Sequence, residues 1–433
     1  LRPPSVASTV KLAPGENLIR TPYGGPIILR SDSSVNAVLE ISITAVQAPY
    51  FKLGETTEAE WLARRTAPVP MGELESNRFV VHVMSDQLAE RTYDEMVALA
   101  EVYDRIADLT DELAGLSPGA PLPHTAPMGK HRISQDIHIS GGWGHSGFPI
   151  QTFPEWPLVD PGDMVTRSRA WGVWHQLGHN YQMGAWSYSM GTEVTVNWWS
   201  LYIQEKLFGD SRIVNEGRYA QMFRYLETSP PATRWSQGDA FTLVLYDQLR
   251  LLHPQLSWNL YTNMIRAYRE MSPAAYDALS TDAQQRNEFV RLMCQVSGSN
   301  LVPLFEQWKL TTFSSATRTY CSRKKALPQR PWLFNGEVSY HRGNGAGTVL
   351  IEQWNDVEAT ELVSLTQVST FPLAPNSATV VRSGLDLPDD VLAGDARRVR
   401  AWLIPPVSGP YRFWLSADDR AELKLSPDAT ATG

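Results

Sequence analysis

The hydrophobic pattern changes period several times along the chain. From residue 1 to about 86, apolar and polar positions alternate in short β-branched runs broken by Pro and Gly. The runs "ENLIRTPYGGPIILRS", "AVLEISITAV" and "RFVVHVMS" predict strands. The segment "AERTYDEMVALAEVYDRIADLTDELAG" places its apolar residues at helical spacing and ends in Gly, which predicts an amphipathic helix. Strand character returns in "HRISQDIHISGGWGHSGFPIQTF", around a glycine-rich turn. From residue 163 to about 308 helical spacing dominates, as in "TEVTVNWWSLYIQEKLFG", "GDAFTLVLYDQLRLLH" and "RNEFVRLMCQVSG". Strands followed by helices predict an α+β domain, β-rich first and mostly helical afterwards.

A basic, proline-marked stretch, "SRKKALPQRPW", interrupts the pattern at residues 322–332 and reads as a domain boundary. Beyond it, "GTVLIEQWNDV", "RRVRAWLIPP", "GPYRFWLSADD" and "AELKLSPD" are short alternating segments separated by turns, the pattern of an all-β sandwich. The chain therefore divides into a β-rich N-terminal segment at 1–50, a mixed domain at 51–325 and a β-sandwich module at 333–433. No internal repeat is visible. At 433 residues the chain exceeds what one hydrophobic core usually covers, consistent with this division.

Composition narrows the function. With 43% apolar and 19% charged residues the chain suits a folded protein. Its 15 Trp and 16 Tyr either fill cores or stack on flat ligands such as sugars. A formal charge of −8 without any Lys/Arg-rich run gives no footprint for nucleic acid. No apolar stretch approaches the roughly 20 residues that a membrane-spanning helix needs, so no transmembrane segment is expected. Residue 1 is Leu and no signal peptide is visible, the pattern of a processed or trimmed chain. Cys294 and Cys321 are too few for a disulfide framework; one bridge and two buried thiols both fit.

The chemistry concentrates in "AWGVWHQLGHNYQ". His175 and His179 are one helical turn apart and share a face, so both imidazoles can reach one ion at about 2.0–2.1 Å. A gluzincin-type protease takes its third ligand from a Glu on the following helix, and Glu193 in "GTEVTVNWW" stands at a suitable distance. Asn197, one turn beyond Glu193, either braces a ligand from behind or is an ordinary helix amide. In the zinc-protease motif a Glu follows the first His and takes a proton from the attacking water. Here that position is Gln176, which matches Glu in shape and still hydrogen-bonds water, but has no useful basicity. Zinc binding is expected to survive and turnover to collapse. A deliberate replacement of a parental Glu and a natural pseudo-enzyme both explain Gln176; the intact surroundings favour the replacement.

These residues, with "APYFKLGETTEAEWLARRTAPVPMGELES", "HSGFPIQ" and "GSNLVPLFEQW", resemble the enhancin-like, mucin-degrading metallopeptidases (metallopeptidase family sixty) over roughly residues 40–310. The resemblance implies a gluzincin-like catalytic domain at 51–325 and Zn2+ as cofactor. It puts His175, His179 and Glu193 on the zinc ligands and Gln176 on the catalytic Glu. It further implies a secreted or cell-surface protein, bacterial in origin, that cleaves O-glycosylated mucin-type glycoproteins next to glycosylated Ser or Thr. The pocket must then accept carbohydrate as well as peptide. Trp143 and His145, in "GGWGHSGF", are candidates for substrate binding, as are Arg234 and Asp239; a buried Trp, a structural His, a surface Arg and a helix N-cap are the plain alternatives. Tyr246 is the candidate donor to a developing oxyanion.

The C-terminal "VSGPYRFWLSADDRAELKLS" resembles the protective-antigen-type β-sandwich, a module that often binds carbohydrate, and reads as incomplete at residue 433. Asp418 and Asp419 match its paired aspartates, which in some relatives help hold calcium, or form a solvated turn. The function expected is thus that of a zinc metalloendopeptidase, an O-glycopeptidase inactive in its Gln176 form. The alternatives are a catalytically dead adhesin that binds mucin glycans and, more remotely, a zinc protease indifferent to sugar.

Overall fold

The computed structural model describes residues 9–19, 46–137, 139, 142, 144–156, 158–160, 170–189, 191–209, 211–228, 239–308, 310, 312–327, 331–334, 336, 349–357, 362–372, 374–381, 394–401 and 420–425. Predicted strand residues 20–45, Trp143, Arg234, and "GPYRFWLSADD" with Asp418 and Asp419 lie outside these. The chain divides into two compact units, residues 1–182 with 196–203, and residues 183–195 with 204–433. The fold is mixed α+β, and no helix among the described residues is long and apolar enough to cross a membrane.

In the first unit the strands are β1 (Tyr50–Lys52), β2 (Met71–Glu75), β3 (Phe79–Met84), β4 (His131–Gln135), β5 (Gly144–His145) and β6 (Ile150–Thr152). They form a six-stranded sheet in the order β1-β2-β3-β4-β6-β5. The β2–β3 and β5–β6 pairs are antiparallel and the other pairs parallel. Alternation sends Phe51, Leu74, Phe79, Val81, Val83, Ile133 and Ile150 to one face, where each is 0% exposed.

That face is covered by helices α1 (Glu58–Arg64) and α3 (Tyr93–Ala114), with the short α2 (Ser85–Ala89) between β3 and α3. Rings join the layers: Phe51 meets Trp61 at 5.6 Å between centroids and Phe79 meets Tyr103 at 5.0 Å. Helix α3 starts where a capping box can form, with Thr92 accepting from the Glu95 N–H and Glu95 reaching back to the Thr92 N–H. It ends at Gly115, whose φ of 68° is the left-handed conformation that closes many helices.

The sheet's other face is polar. Glu73 and His82 are cross-strand partners with Oε2 and Nδ1 3.0 Å apart, and the Tyr50 hydroxyl donates to Glu75 at 2.6 Å. Burial, aided by the charge of Glu75, pushes the Glu73 carboxyl up to about 7. Burial, aided by Arg132, pulls the His82 imidazole down to about 4.

The second unit is largely helical. It holds α5 (Thr192–Thr195), α7 (Arg212–Asn215), α8 (Arg218–Thr228), α9 (Asp239–Leu251), α10 (Asn259–Arg269), α11 (Pro273–Asp277), α12 (Asp282–Ser297), α13 (Val302–Gln307) and α14 (Ser315–Ser322). Helix α6 (Asn197–Phe208) begins in the first unit and ends in this one. Aromatic rings supply much of the core. Trp186, Tyr188, Tyr246, Tyr261, Tyr268, Phe289, Phe305 and Trp308 are all buried. Cys294 on α12 and Cys321 on α14 are buried thiols without a disulfide, joined by a side-chain hydrogen bond. Two short strands, β7 (Ser299–Asn300) and β8 (Lys325–Ala326), pair in parallel beside them.

Of the expected C-terminal sandwich, the described residues contain one antiparallel three-stranded sheet in the order β10-β9-β11, made of β9 (Val349–Trp354), β10 (Ser377–Val381) and β11 (Ala396–Ala401). Glu352, 1% exposed, is paired with both Arg398 and Arg400 at 2.8 Å, which compensates the burial of its charge.

Candidate metal centre

Helix α4 (Ala170–Tyr181) carries the histidine pair. Its residues Trp171, Val173, Trp174 and Leu177 are buried and fix its rotation, leaving His175 and His179 one above the other. Their Nε2 atoms are 3.2 Å apart and their rings nearly perpendicular, at 79°. Two nitrogens bound at about 2.0–2.1 Å to one tetrahedral ion stand roughly 3.3 Å apart, so the spacing fits a shared metal.

His175 is oriented from behind. Its Nδ1 lies 2.8 Å from Oδ1 of Asn197, which is 4% exposed. An amide oxygen only accepts, so the Nδ1 proton points to Asn197 and the Nε2 lone pair faces the metal side. Asn197 comes this near because Gly178, between the two histidines, has no side chain. A Cβ there would stand 2.3 Å from the carbonyl oxygen of Val196, which precedes Asn197.

Glu193, exposed on the short helix α5, completes a group with the histidines. Each of the three offers one ligand atom, and these atoms lie within 4.8 Å of one another. Two imidazoles and one carboxylate are a donor set that zinc takes in catalytic sites. Gln176 follows His175 on α4 and is 9% exposed.

Other expected residues are placed differently. His145 is exposed on β5, at the edge of the sheet and on its polar face. Asp239 is the first residue of α9. Tyr246, expected as an oxyanion donor, lies on α9. It is 1% exposed, and its hydroxyl hydrogen-bonds that of Tyr188 at 2.8 Å within the aromatic core of the second unit.

Sequence reasoning missed the residues that hold the end of α4. The Tyr181 hydroxyl donates to Oδ1 of Asp111 at 2.7 Å and lies 3.2 Å from Nε2 of His131. Asp111, 3% exposed on α3, also pairs with Arg78 at 2.5 Å. Burial, reinforced by Asp111, raises the Tyr181 hydroxyl well above its ordinary range, so it stays protonated as a donor. Trp199 on α6 donates its indole N–H to the Thr110 carbonyl at 3.1 Å, so one turn of α3 anchors both helices. Asn180, whose amide pairs with the Gly147 backbone, and Trp156, whose ring lies against Gly172 of α4, were missed as well. A tyrosine or an asparagine near a helix end carries no distinguishing sequence signal.

A family model described as peptidase M60, enhancin and enhancin-like, matches residues 44–309. Among curated proteins, the TRPM8 channel-associated factor homolog of Danio rerio is 31% identical over 297 residues, which is 66% of this chain and 31% of that protein. The chain thus spans about a third of the length of the curated relatives it matches. Among solved structures, a functionally unknown conserved protein from Bacillus anthracis aligns with a TM-score of 0.59 at 23% identity, covering 66% of this chain and 59% of that one. The M60 catalytic domain of Clostridium perfringens ZmpC, in complex with the sialyl T antigen, aligns at 0.53 and 17% identity, covering 72% and 62%.

Proposed function

The chain belongs to the peptidase M60, enhancin and enhancin-like family, and on that premise we propose that it hydrolyses O-glycosylated, mucin-type proteins beside glycosylated Ser or Thr when its general base is present. The observation that carries the reading is the convergence of His175, His179 and Glu193 on one point. These residues would hold zinc through two imidazole nitrogens and one carboxylate oxygen, with a fourth position open. Zinc, when bound, supplies Lewis acidity toward the scissile carbonyl and toward water.

The protein's own groups do the rest. Asn197 fixes the tautomer and tilt of His175. The side chain at 176 orients the water and, as Glu, receives its proton. As Gln it orients without accepting, and loss of general-base catalysis lowers the rate by about 10²–10⁴-fold. Among the described residues strand β5 has one edge without a strand partner in the sheet, and an extended peptide pairing there would run alongside the ligand helix. The sugar requirement draws on the ZmpC neighbour, whose structure holds the sialyl T antigen. A secreted or cell-surface protein of bacterial origin is part of the same proposal.

The test pairs metal analysis with restoration of the base. The protein should bind about one zinc per chain, lost on His175→Ala or His179→Ala. Gln176→Glu should then cleave an O-glycosylated mucin peptide, and the same peptide stripped of its glycans should resist. Cleavage of both peptides alike would mean a zinc protease indifferent to sugar. No cleavage of either, with zinc bound, would favour the second reading, a non-catalytic protein that binds mucin glycans. Gln176 itself supports that second reading, as do curated relatives named as channel-associated factors rather than peptidases.

A further inference from the structure

The hairpin that carries the sheet edge is fastened to the ligand helix at two points. Asn180, the residue after His179, turns both polar atoms of its amide onto one backbone unit of the hairpin. Its Oδ1 accepts from the Gly147 N–H at 2.8 Å, and its Nδ2 donates to the Gly147 carbonyl at 3.0 Å. Gly147 has a φ of 131°, a conformation that side-chain-bearing residues rarely adopt, so this arrangement of the loop is built for glycine.

The second fastening is the indole of Trp156. It fills the space left by Gly172 on α4 and by Gly144 on β5. A Cβ at Gly172 would come within 2.1 Å of the ring, and one at Gly144 within 2.9 Å. Between the two fastenings, β5 presents His145, and the loop beyond it presents Phe148, 73% exposed, with the Arg132 guanidinium 5.8 Å from its ring centroid.

We propose that Asn180 is a positioning residue, which sets the distance between the sheet edge that receives the substrate backbone and the histidines that hold the metal. The proposal rests on the peptidase reading above. Asn180 touches neither the metal nor the reacting atoms; it acts through Gly147. Trp156 fixes the sideways packing of β5 on α4, and the Asn180 amide fixes the hairpin tip along the helix axis. A peptide that pairs with an unfastened edge still binds, but its scissile carbonyl no longer stands where the water attacks. A displacement of about 1 Å at a reacting centre lowers rate by roughly 10²-fold.

The experiment uses the full chain with Gln176→Glu as parent and adds Asn180→Ala or Asn180→Asp. Asn180→Ala should lower kcat by about tenfold to a hundredfold with little change in KM. Zinc affinity by chelator competition and the thermal midpoint should stay near the parent's. Asn180→Asp, which keeps the acceptor for the Gly147 N–H, should recover part of the loss. Hydrogen exchange over residues 144–147 should quicken in Asn180→Ala, a readout independent of turnover that is measured equally in the Gln176 form. The proposal is overturned by an unchanged kcat, by unchanged exchange at the hairpin, or by a fall in kcat matched by equal losses of zinc affinity and stability. If the parent itself cuts no glycopeptide with zinc bound, the peptidase reading fails instead, and hairpin exchange alone decides whether Asn180 holds the loop.

Discussion

Replacing Gly178 by alanine sets a methyl carbon 2.3 Å from the Val196 carbonyl oxygen and 3.0 Å from both its carbonyl carbon and its Cβ. Non-bonded heavy atoms rest at about 3.5–4.0 Å, so helix α4 and the chain entering α6 must part by about 1 Å. Overpacking of this kind costs about 1–3 kcal/mol, and backbone atoms yield less readily than a side chain, which puts this site in the upper half of the range. Alanine recovers about 1 kcal/mol through its better helix propensity. The net loss is therefore about 1–2 kcal/mol, or roughly 3–6 °C in Tm for a unit of this size. The separation also stretches the 2.8 Å contact between His175 and Asn197. Loss of such an outer partner weakens zinc by about 10–100-fold. Thermal melts with and without chelator, together with a zinc competition titration, measure both effects. Gly172→Ala is the control for zinc affinity alone, since the obstacle there is the Trp156 ring and no partner of a ligand is involved. A Gly178→Ala protein that melts at or above the parent and binds zinc equally well would refute the reasoning.

Asn197→Ala should weaken zinc by about 10–100-fold with a small change in Tm, and Asn197→Asp, which keeps the acceptor, should restore most of the affinity in the same competition assay. Glu73→Gln should separate the two titrations on the polar face of the sheet. Folding raises the Glu73 carboxyl from 4.5 to about 7, so its contribution to stability is complete below pH 4.5 and fades as pH rises through 7. Folding lowers the His82 imidazole from 6.5 to about 4, so its contribution is present above pH 6.5 and fades as pH falls through 4. Glutamine imitates the protonated acid. Urea midpoints of Glu73→Gln should thus match the parent near pH 4.5 and gain on it up to pH 8, and a difference that does not vary with pH would count against the assignment.

Periodicity carried the elements but not their arrangement. Alternation in "RFVVHVMS" became β3, and helical spacing after residue 89 became α3. The start of α3 was already written in Thr92 and Glu95, which form a capping box a few residues inside the segment that helical spacing marked. Nothing local orders the strands β4-β6-β5, because that order depends on pairing with residues distant in the chain. Glu73 and His82 read as polar positions on alternating strands; only the β2–β3 register shows that they are opposite each other.

The metal centre was legible for a related reason. The turn-to-turn spacing of His175 and His179 is a property of the helix itself, whereas the use made of Tyr246 depends on what surrounds it. Glycine shows the difference most sharply. In a helix read alone, Gly172 and Gly178 are two weak positions, each less favourable than alanine by about 0.5–1 kcal/mol. In the folded chain each marks a close approach, of Trp156 to one face of α4 and of Val196 to another. Through the first the helix is keyed to the sheet edge, and through the second to the residue that holds His175. A helix that must present two ligands rigidly cannot rely on side-chain packing everywhere, since a flexible side chain transmits position poorly. Direct contact with a backbone or a large ring transmits it well, and only an absent side chain permits that contact. The local propensity penalty is therefore how this sequence positions its ligands, and mutations that relieve it are expected to disturb the site.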